Sequence, residues 1–158
     1  MAYIPIASQT LGSAASTVTF NSIPTTLNGQ NLRDLVLVFN ARASTTTFLK
    51  YRLNGNSGSN YSIVTMYGPV GSGSATETSF YIGDINATDR TAGTSNIMDY
   101  AVTDKHKSQL SRWGVGTTSV WALAGRFAVT SSVTSMTIFV ESGNIAAGST
   151  FSLFGVAA

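Results

Sequence analysis

The amino-acid sequence predicts an all-β protein, folded as a single β-sandwich domain over residues 1–158. Short groups of apolar residues recur with a period of two, which is typical of strands with one buried face. Clusters of Gly, Asn, Ser and Pro separate these groups and indicate turns. Only residues 105–113 form a weak candidate for a helix. We therefore expect roughly eight to ten strands in a jelly-roll-like sandwich.

The first half of the chain contains the clearest strand patterns. Thr17–Phe20 alternates between polar and apolar residues, and 34–39 is a nearly continuous apolar run. Such a run is typical of a strand covered on both faces, so we expect it in the middle of a sheet. In Thr47–Leu53, one face of the predicted strand carries Leu49, Tyr51 and Leu53, and we expect this face to point into the core.

The remaining elements follow the same pattern. Asn54 and Gly55 form a strong turn signal, because both residue types tolerate a positive φ. The Gly- and Ser-rich stretch 68–78 is predicted to be a long mobile loop, with a domain linker as the alternative. Further strands are predicted at 61–67, 79–82, 96–102, 119–124, 126–129, 135–140 and 150–156.

The composition favours a protein that is packed in an assembly. Only 10% of the residues are charged, against about 25% in a typical globular protein. The surface must therefore consist mainly of Ser, Thr, Asn and Gly, which repels neighbouring molecules weakly. A monomer with a neutral polar surface is the alternative interpretation.

Several partners and compartments are disfavoured by the sequence. The net charge is +2 and the basic residues are scattered, so no stripe of charge is available for a phosphate backbone, and we expect no nucleic acid as partner. We also expect no membrane, since no apolar stretch approaches the roughly 18 residues of a spanning helix. The first residues lack the basic segment of a signal peptide. The absence of Cys excludes disulfides and thiolate metal sites.

The inventory of reactive side chains indicates that the protein is not an enzyme. The chain has one His, no Cys and seven acidic residues, whereas general acid–base and nucleophilic catalysis need such groups close together. No Gly-x-Ser-x-Gly elbow accompanies His106, so a solvated loop histidine is the preferred interpretation. We expect no catalytic, cofactor-binding or metal-binding residues. The polar cluster Asp104, Lys105, His106 and Lys107 is instead predicted to be a secondary charged contact with a partner.

Two further segments suggest ligands but favour ordinary structure. Asp84 and Asp89 could supply oxygen ligands to calcium, yet the spacing of an EF-hand is absent and an Asx-rich turn is the preferred interpretation. The glycines of 68–73 lack the Lys and the helix start of a phosphate loop.

Carbohydrate binding is the more serious alternative, because the chain is rich in aromatic residues. In strands, aromatic residues are more often core or oligomer contacts. The candidates for stacking on sugar rings are Trp113, Trp121, Tyr51, Tyr61, Tyr67, Tyr81 and Tyr100.

Four segments of the chain carry a family resemblance. They are VTFNSIP (18–24) with DLVLV (34–38), RLNGNSGSNYS (52–62), DY (99–100) with KHK (105–107), and AGSTFSLFGV (147–156). In these segments the chain resembles small virion structural proteins of tailed bacteriophages. The resemblance implies a jelly-roll-like virion protein that decorates or cements a capsid or serves in the tail, and it implies no catalytic residues.

We therefore expect a non-enzymatic virion structural protein. A capsid decoration or cement protein is the first choice, because no repetitive shaft or attachment segment of a fibre is seen. It would bind and stabilise the head surface by non-covalent contacts, with the major capsid protein as partner. A small tail-associated, receptor-binding or carbohydrate-binding module of the same fold is the alternative. We expect a homo-oligomer, with a trimer favoured, located in the virion and assembled in the host cytoplasm.

Overall fold

Short extended segments joined by turns make up the structure, a computed structural model that describes residues 2–67, 71–116 and 119–158. No helix occurs within those ranges. The strands are, in chain order, Tyr3–Thr10 (β1), Thr17–Phe20 (β2), Thr26–Leu27 (β3), Gln30–Ala41 (β4), Thr47–Leu53 (β5), Tyr61–Tyr67 (β6), Gly71–Glu77 (β7), Phe80–Ile85 (β8), Thr91–Met98 (β9), Lys107–Val115 (β10), Ser119–Phe127 (β11), Met136–Val140 (β12) and Thr150–Ala157 (β13).

Eight of these strands form a jelly roll. Antiparallel pairs are nested around the connection from β5 to β8: β5 pairs with β8, β4 with β9, β2 with β12 and β1 with β13. Successive pairs alternate between a smaller sheet of order β2-β12-β5-β8 and a larger sheet that begins β1-β13-β4-β9. This nesting wraps one long antiparallel ribbon into two facing sheets. The predicted all-β sandwich with a jelly-roll-like architecture is confirmed.

The larger sheet continues beyond the jelly roll. Strands β6 and β7 are inserted between β5 and β8, and β10 and β11 follow β9 in the chain. The two insertions meet beside β9 and extend the sheet in the order β9-β10-β11-β6-β7. We call these four added strands the extension. The edge strand β8 of the smaller sheet lies over β10 and β11, so part of the extension shares the core.

Alternation along the strands places one face of each sheet in the core. In β5, Leu49, Tyr51 and Leu53 are fully buried, as the sequence predicts. The apolar run 34–39 lies in β4, between β13 and β9, and is therefore mid-sheet as expected. Burying a large apolar side chain of this kind stabilises the fold by roughly 1.5–3 kcal/mol.

Two sequence-based interpretations are wrong. The candidate helix at 105–113 is largely the strand β10, whose main chain pairs with β9 on one side and β11 on the other. The predicted mobile loop 68–78 largely coincides with β7, which pairs with β6 along its length, while 68–70 lie outside the described residues. Both segments form strands because their main chains pair with a neighbouring strand. Small residues can join such a ladder even where the sequence has no apolar alternation.

Strand boundaries also differ from the predicted ones. The strand expected at 96–102 is shifted to Thr91–Met98, and Asp99 begins a turn with a φ of 53°. The segments 119–124 and 126–129 belong largely to the single strand β11. The strands β1 and β3 were not predicted. The turn signal at Asn54 and Gly55 is confirmed, since their φ angles are 52° and 64°.

Candidate functional site

The outer face of the larger sheet points away from the smaller sheet and is apolar across much of the extension. In β10 the residues alternate between buried and outward-facing positions, so Leu110 and Arg112 point outward. Cross-strand register aligns them with residues of the neighbouring strands. The two central rows of this outer face are Val36, Asn96, Leu110, Ala124 and Val64, and Val38, Thr94, Arg112, Ala122 and Met66.

Large apolar side chains are exposed along these rows and beside them. Leu110 is 48% exposed, Met66 is 57% exposed, and Val120 is 73% exposed. Val64 and Val38 are exposed as well. Scattered exposed apolar residues are normal on a protein surface, but a contiguous group on one flat face indicates a binding surface.

Small residues create two shallow hollows in the outer face. One hollow of about 410 Å³ lies over Ala92, Gly93 and Gly114, with Arg112 and Val120 at its border. The other, of about 600 Å³, is lined mainly by residues of β6, β7 and β11, which include Ser62, Val64, Ala75, Ala124 and Arg126. Each hollow can accept an apolar side chain of a partner.

The described charges that line the two hollows are of one sign. Each hollow is lined by one guanidinium, that of Arg112 or that of Arg126, and no described carboxylate lines either hollow. Among the described residues, Arg126 reaches only a hydroxyl, Ser62 Oγ, at 3.5 Å. A guanidinium presents a planar fork of donors that matches a carboxylate. The outer face therefore combines apolar side chains with sites suited to acidic groups.

The predicted contact cluster of residues 104–107 has two different environments. Asp104 and His106 are exposed, and Lys105 lies 3.5 Å from a carboxylate oxygen of Asp99. Lys107 is fully buried, so in this fold it cannot contact a partner. Its side chain points inward because β10 alternates.

The ammonium of Lys107 instead joins two loops, the one between β9 and β10 and the one between β11 and β12. It donates to the carbonyl oxygens of Val102, Lys105 and Thr130 at 2.6, 2.9 and 3.0 Å. Burial lowers the pKa of Lys107, while the charge of Asp104 acts in the opposite direction. Lys107 therefore holds the loops at one end of the sandwich in place.

Of the two possible calcium ligands, Asp84 lies in β8 and Asp89 lies in the turn that follows it. The side-chain oxygen Oδ1 of Asn86 accepts hydrogen bonds from the main-chain N–H groups of Thr88 and Asp89, at 2.8 and 2.7 Å. This is the Asx-turn geometry that the sequence indicates. Within the described ranges, no three acidic or His side chains are grouped so that they could hold a metal ion.

The aromatic residues considered for sugar binding separate into two groups. Tyr51, Tyr61 and Tyr100 are fully buried, so they belong to the core. Burial raises the pKa of Tyr51 and raises that of Tyr100 to about 12. The side chain of Tyr67 lies outside the described residues.

Tyr81 and Trp121 are only half-buried, and they line a cleft beside β8. Trp113 is buried and stacks against Trp121 with ring centroids 5.8 Å apart. Burial raises the pKa of Tyr81, and the nearby carboxyl of Asp84 raises it further. Among the described residues, the hydroxyl of Tyr81 and one carboxyl oxygen of Asp84 are buried without a hydrogen-bond partner.

Sequence reasoning missed the outer face. The signal was present in β6, where Val64 and Met66 alternate with the buried Tyr61 and Ile63, so both faces of the strand are apolar. A strand that is apolar on both faces is typically packed against other protein on both sides.

No helix in the described part of the chain is long and apolar enough to span a membrane.

Comparison of the chain with protein-family models, with curated proteins and with solved structures finds no match. The resemblance to virion proteins of tailed bacteriophages thus stays an expectation from the sequence. The surfaces of the molecule are the remaining indication of function.

Proposed function

We propose that this chain is a non-enzymatic virion structural protein that decorates or cements a phage head, and that it binds the major capsid protein through the outer face of its larger sheet. The observation that supports this most is the flat, exposed apolar group around Leu110, Met66 and Val120, which nothing in the described residues covers. A soluble protein seldom exposes such a contiguous surface unless it binds something.

The chemistry of the outer face supports a partner surface that is apolar and acidic. Arg112 and Arg126 are exposed, and the two hollows they border contain no described carboxylate. A second copy of the chain placed face to face would bring guanidinium groups together, which is unfavourable when they are desolvated. The matching partner is a surface with apolar side chains that enter the hollows and carboxylates that meet the two arginines.

The energetics suit a repetitive lattice. Exposed ion pairs contribute only about 0–1 kcal/mol each, so apolar contacts must supply most of the affinity of one copy. Many copies on a regular surface, linked as an oligomer, raise the effective concentration without any single strong contact. Attachment is therefore expected to persist as the salt concentration rises, with Lys105 and the two arginines making secondary contributions.

Oligomerisation through another surface stays part of this proposal. The low charge of the chain and the usual symmetry of virion attachments favour a trimer. Light scattering at high concentration checks this directly, and a monomer under those conditions would remove the trimer. If Arg112→Glu changed the oligomeric state, the outer face would be a contact between copies of the chain instead.

The experiment uses virions that carry this protein, stripped of it and then rebuilt with purified variants. Leu110→Glu and Arg112→Glu are expected to reduce the amount of protein retained on the particles by tenfold or more. Arg52→Glu makes the same charge change on the smaller sheet and is the matched control. Equal retention of Arg112→Glu and Arg52→Glu would contradict docking through the outer face, provided that both variants keep the thermal stability of the parent protein.

A further inference from the structure

We infer that the cleft beside β8, lined by Phe48, Tyr81 and Trp121, binds one ring of a neutral saccharide. The cleft lies away from the outer face, on the flank of the sandwich, where residues of β5 and β8 face residues of β6 and β11. Its volume is about 370 Å³, which lies within the range of small-molecule sites. The inference does not depend on what the outer face binds.

The aromatic rings of the cleft are held in place before any ligand arrives. Trp121 stacks on the buried Trp113 with their planes 9° apart, and its indole N–H donates to Ser119 Oγ at 3.1 Å. Tyr81 meets the rings of Trp113 and Phe48 edge-on, with centroids 5.0 Å apart in each case. Rings that are already fixed lose little conformational entropy when a ligand binds. Little of the binding free energy is therefore needed to order the site.

The position of Tyr81 follows from an irregularity in the smaller sheet. Lys50 pairs with Tyr81, but Leu49 pairs with Gly83, so β8 has an extra residue at this point. A bulge of this kind redirects a side chain at a sheet edge. Here the Tyr81 ring contacts both Phe48 of the smaller sheet and Trp121 of the larger one, and so forms one wall of the cleft.

Polar groups surround the aromatic rings. Lys50 forms an ion pair with Glu141, and Glu77, Ser79 and Thr65 also line the cleft. Carboxylates accept hydrogen bonds from hydroxyl groups, and an ammonium donates to hydroxyl oxygens. A pyranose ring presents both kinds of partner: an apolar C–H face that stacks on an aromatic ring and hydroxyl groups around its rim.

The charge of the cleft disfavours other ligands. Two carboxylates and one ammonium line it, which leaves a net negative charge that repels phosphates and acidic sugars. The ammonium of Lys50 disfavours an organic cation between the aromatic rings, although aromatic cages do bind such cations. A purely apolar ligand would cover the charged groups without pairing them. A neutral saccharide satisfies all of these groups.

The test measures binding to the purified full chain. A glycan array is screened first, and lactose, cellobiose, maltose and diacetylchitobiose are then titrated with detection by saturation-transfer NMR and tryptophan fluorescence. At least one neutral glycan is expected to bind, with a dissociation constant of about 1 mM or lower. Choline and inorganic phosphate serve as charged probes. The inference is overturned if no neutral glycan binds at about ten times that concentration, or if only the charged probes bind.

Variants locate the site. Trp121→Ala should weaken binding about tenfold or more, while Trp121→Phe keeps a stacking ring and should lose less. Glu77→Gln, which preserves the size of the side chain, should also weaken binding, and it covers the case in which Trp121→Ala fails to fold. Leu110→Ala on the outer face is the matched control and should leave binding unchanged.

The variants also distinguish glycan binding in the cleft from attachment to particles through the outer face. Trp121→Ala should still attach to particles, and Arg112→Glu should still bind the glycan. Unchanged glycan binding in both Trp121→Ala and Glu77→Gln would show that the saccharide binds elsewhere and would overturn the assignment of the cleft.

Discussion

Strand β4 of the jelly roll and the first half of strand β10 of the extension use opposite arrangements of apolar and polar residues. In β4 of the jelly roll, Leu35, Leu37 and Phe39 point inward and are buried. In β10 of the extension, Gln109 and Ser111 point inward, whereas Leu110 between them points outward and is about half exposed. The jelly roll places most of its apolar residues in the core, whereas the extension has apolar residues both in the core and on the exterior.

Part of the inner face of the extension is held by a polar network. Gln109 Nε2 donates to Ser95 Oγ at 3.0 Å, and the hydroxyls of Ser95 and Tyr51 are also 3.0 Å apart. Among the described residues, Gln109 Oε1 is buried without a partner. Such networks stabilise less than apolar packing. The difference between the two regions suggests that the jelly roll is the scaffold and the extension carries the binding surfaces.

The largest expected difference is between two leucines. Leu37→Ala should lower the free energy of unfolding by about 2–5 kcal/mol, because it leaves a cavity in the jelly-roll core. Leu110→Ala makes the same change on the outer face of the extension and should alter stability by no more than about 0.5 kcal/mol. Urea unfolding measures both. Equal losses would contradict the assignment of Leu110 to a surface.

Two lysines of the predicted contact cluster should differ as well. Lys107→Ala should cost about 1–3 kcal/mol, since it leaves carbonyl oxygens at the end of the sandwich without their donor. Lys105→Ala breaks only an exposed ion pair, worth about 0–1 kcal/mol. Thermal unfolding compares the variants. If Lys107→Ala were as stable as Lys105→Ala, the buried ammonium would have no structural role.

The junction between the two regions depends on a glycine. A Cβ atom at Gly93 would lie 2.6 Å from the Phe39 ring and 2.7 Å from the carbonyl oxygen of Arg112. Gly93→Ala should therefore destabilise the protein by about 1–3 kcal/mol. Gly12→Ala is the control, because its Cβ would meet nothing within 4 Å. A neutral Gly93→Ala would show that β9 and β10 can move apart without cost.

High pH should destabilise the protein through its buried tyrosines. Burial raises the pKa of Tyr100 to about 12 from an ordinary value of 10, and it also raises that of Tyr51. The stabilising contribution of Tyr100 is complete below about pH 10 and is lost as the pH rises through about 12, because the unfolded chain releases a proton that the folded chain retains. The contribution of Tyr51 falls in the same direction above about pH 10. The size is on the order of 1 kcal/mol per unit of pKa shift.

Urea unfolding across this pH range, with tyrosinate absorbance as a second signal, tests the expectation. Tyr100→Phe should reduce the slope of stability against pH. A stability that stayed constant up to pH 12 would contradict the burial of these residues.

The jelly roll was easier to predict from the sequence than the extension. In β5, Leu49, Tyr51 and Leu53 alternate with polar or exposed residues, so the pattern indicates both the strand and its buried face. In β10, Lys107, Gln109 and Ser111 occupy the buried face, and this reversal makes the segment unlike a half-buried strand. Periodicity detects strands whose stability comes from apolar burial, and it fails where polar networks and main-chain pairing replace burial.

The candidate site shows the same limit. The outer face joins Val38 of β4 with Met66 of β6 through register across three other strands. Such a surface depends on the pairing of two insertions that are distant in the chain. Single-sequence patterns specify strands, but they contain no information on which insertion pairs with which.

We propose that the extension binds the capsid while the jelly roll supports it. Electron cryomicroscopy of intact virions that carry the protein tests this most directly, because the particle image shows both the location and the orientation of each copy. We expect a regular lattice on the head, with the outer face around Leu110 and Arg112 turned toward the capsid. A few copies at the tail, or a head-bound protein whose outer face points into solvent, would contradict it.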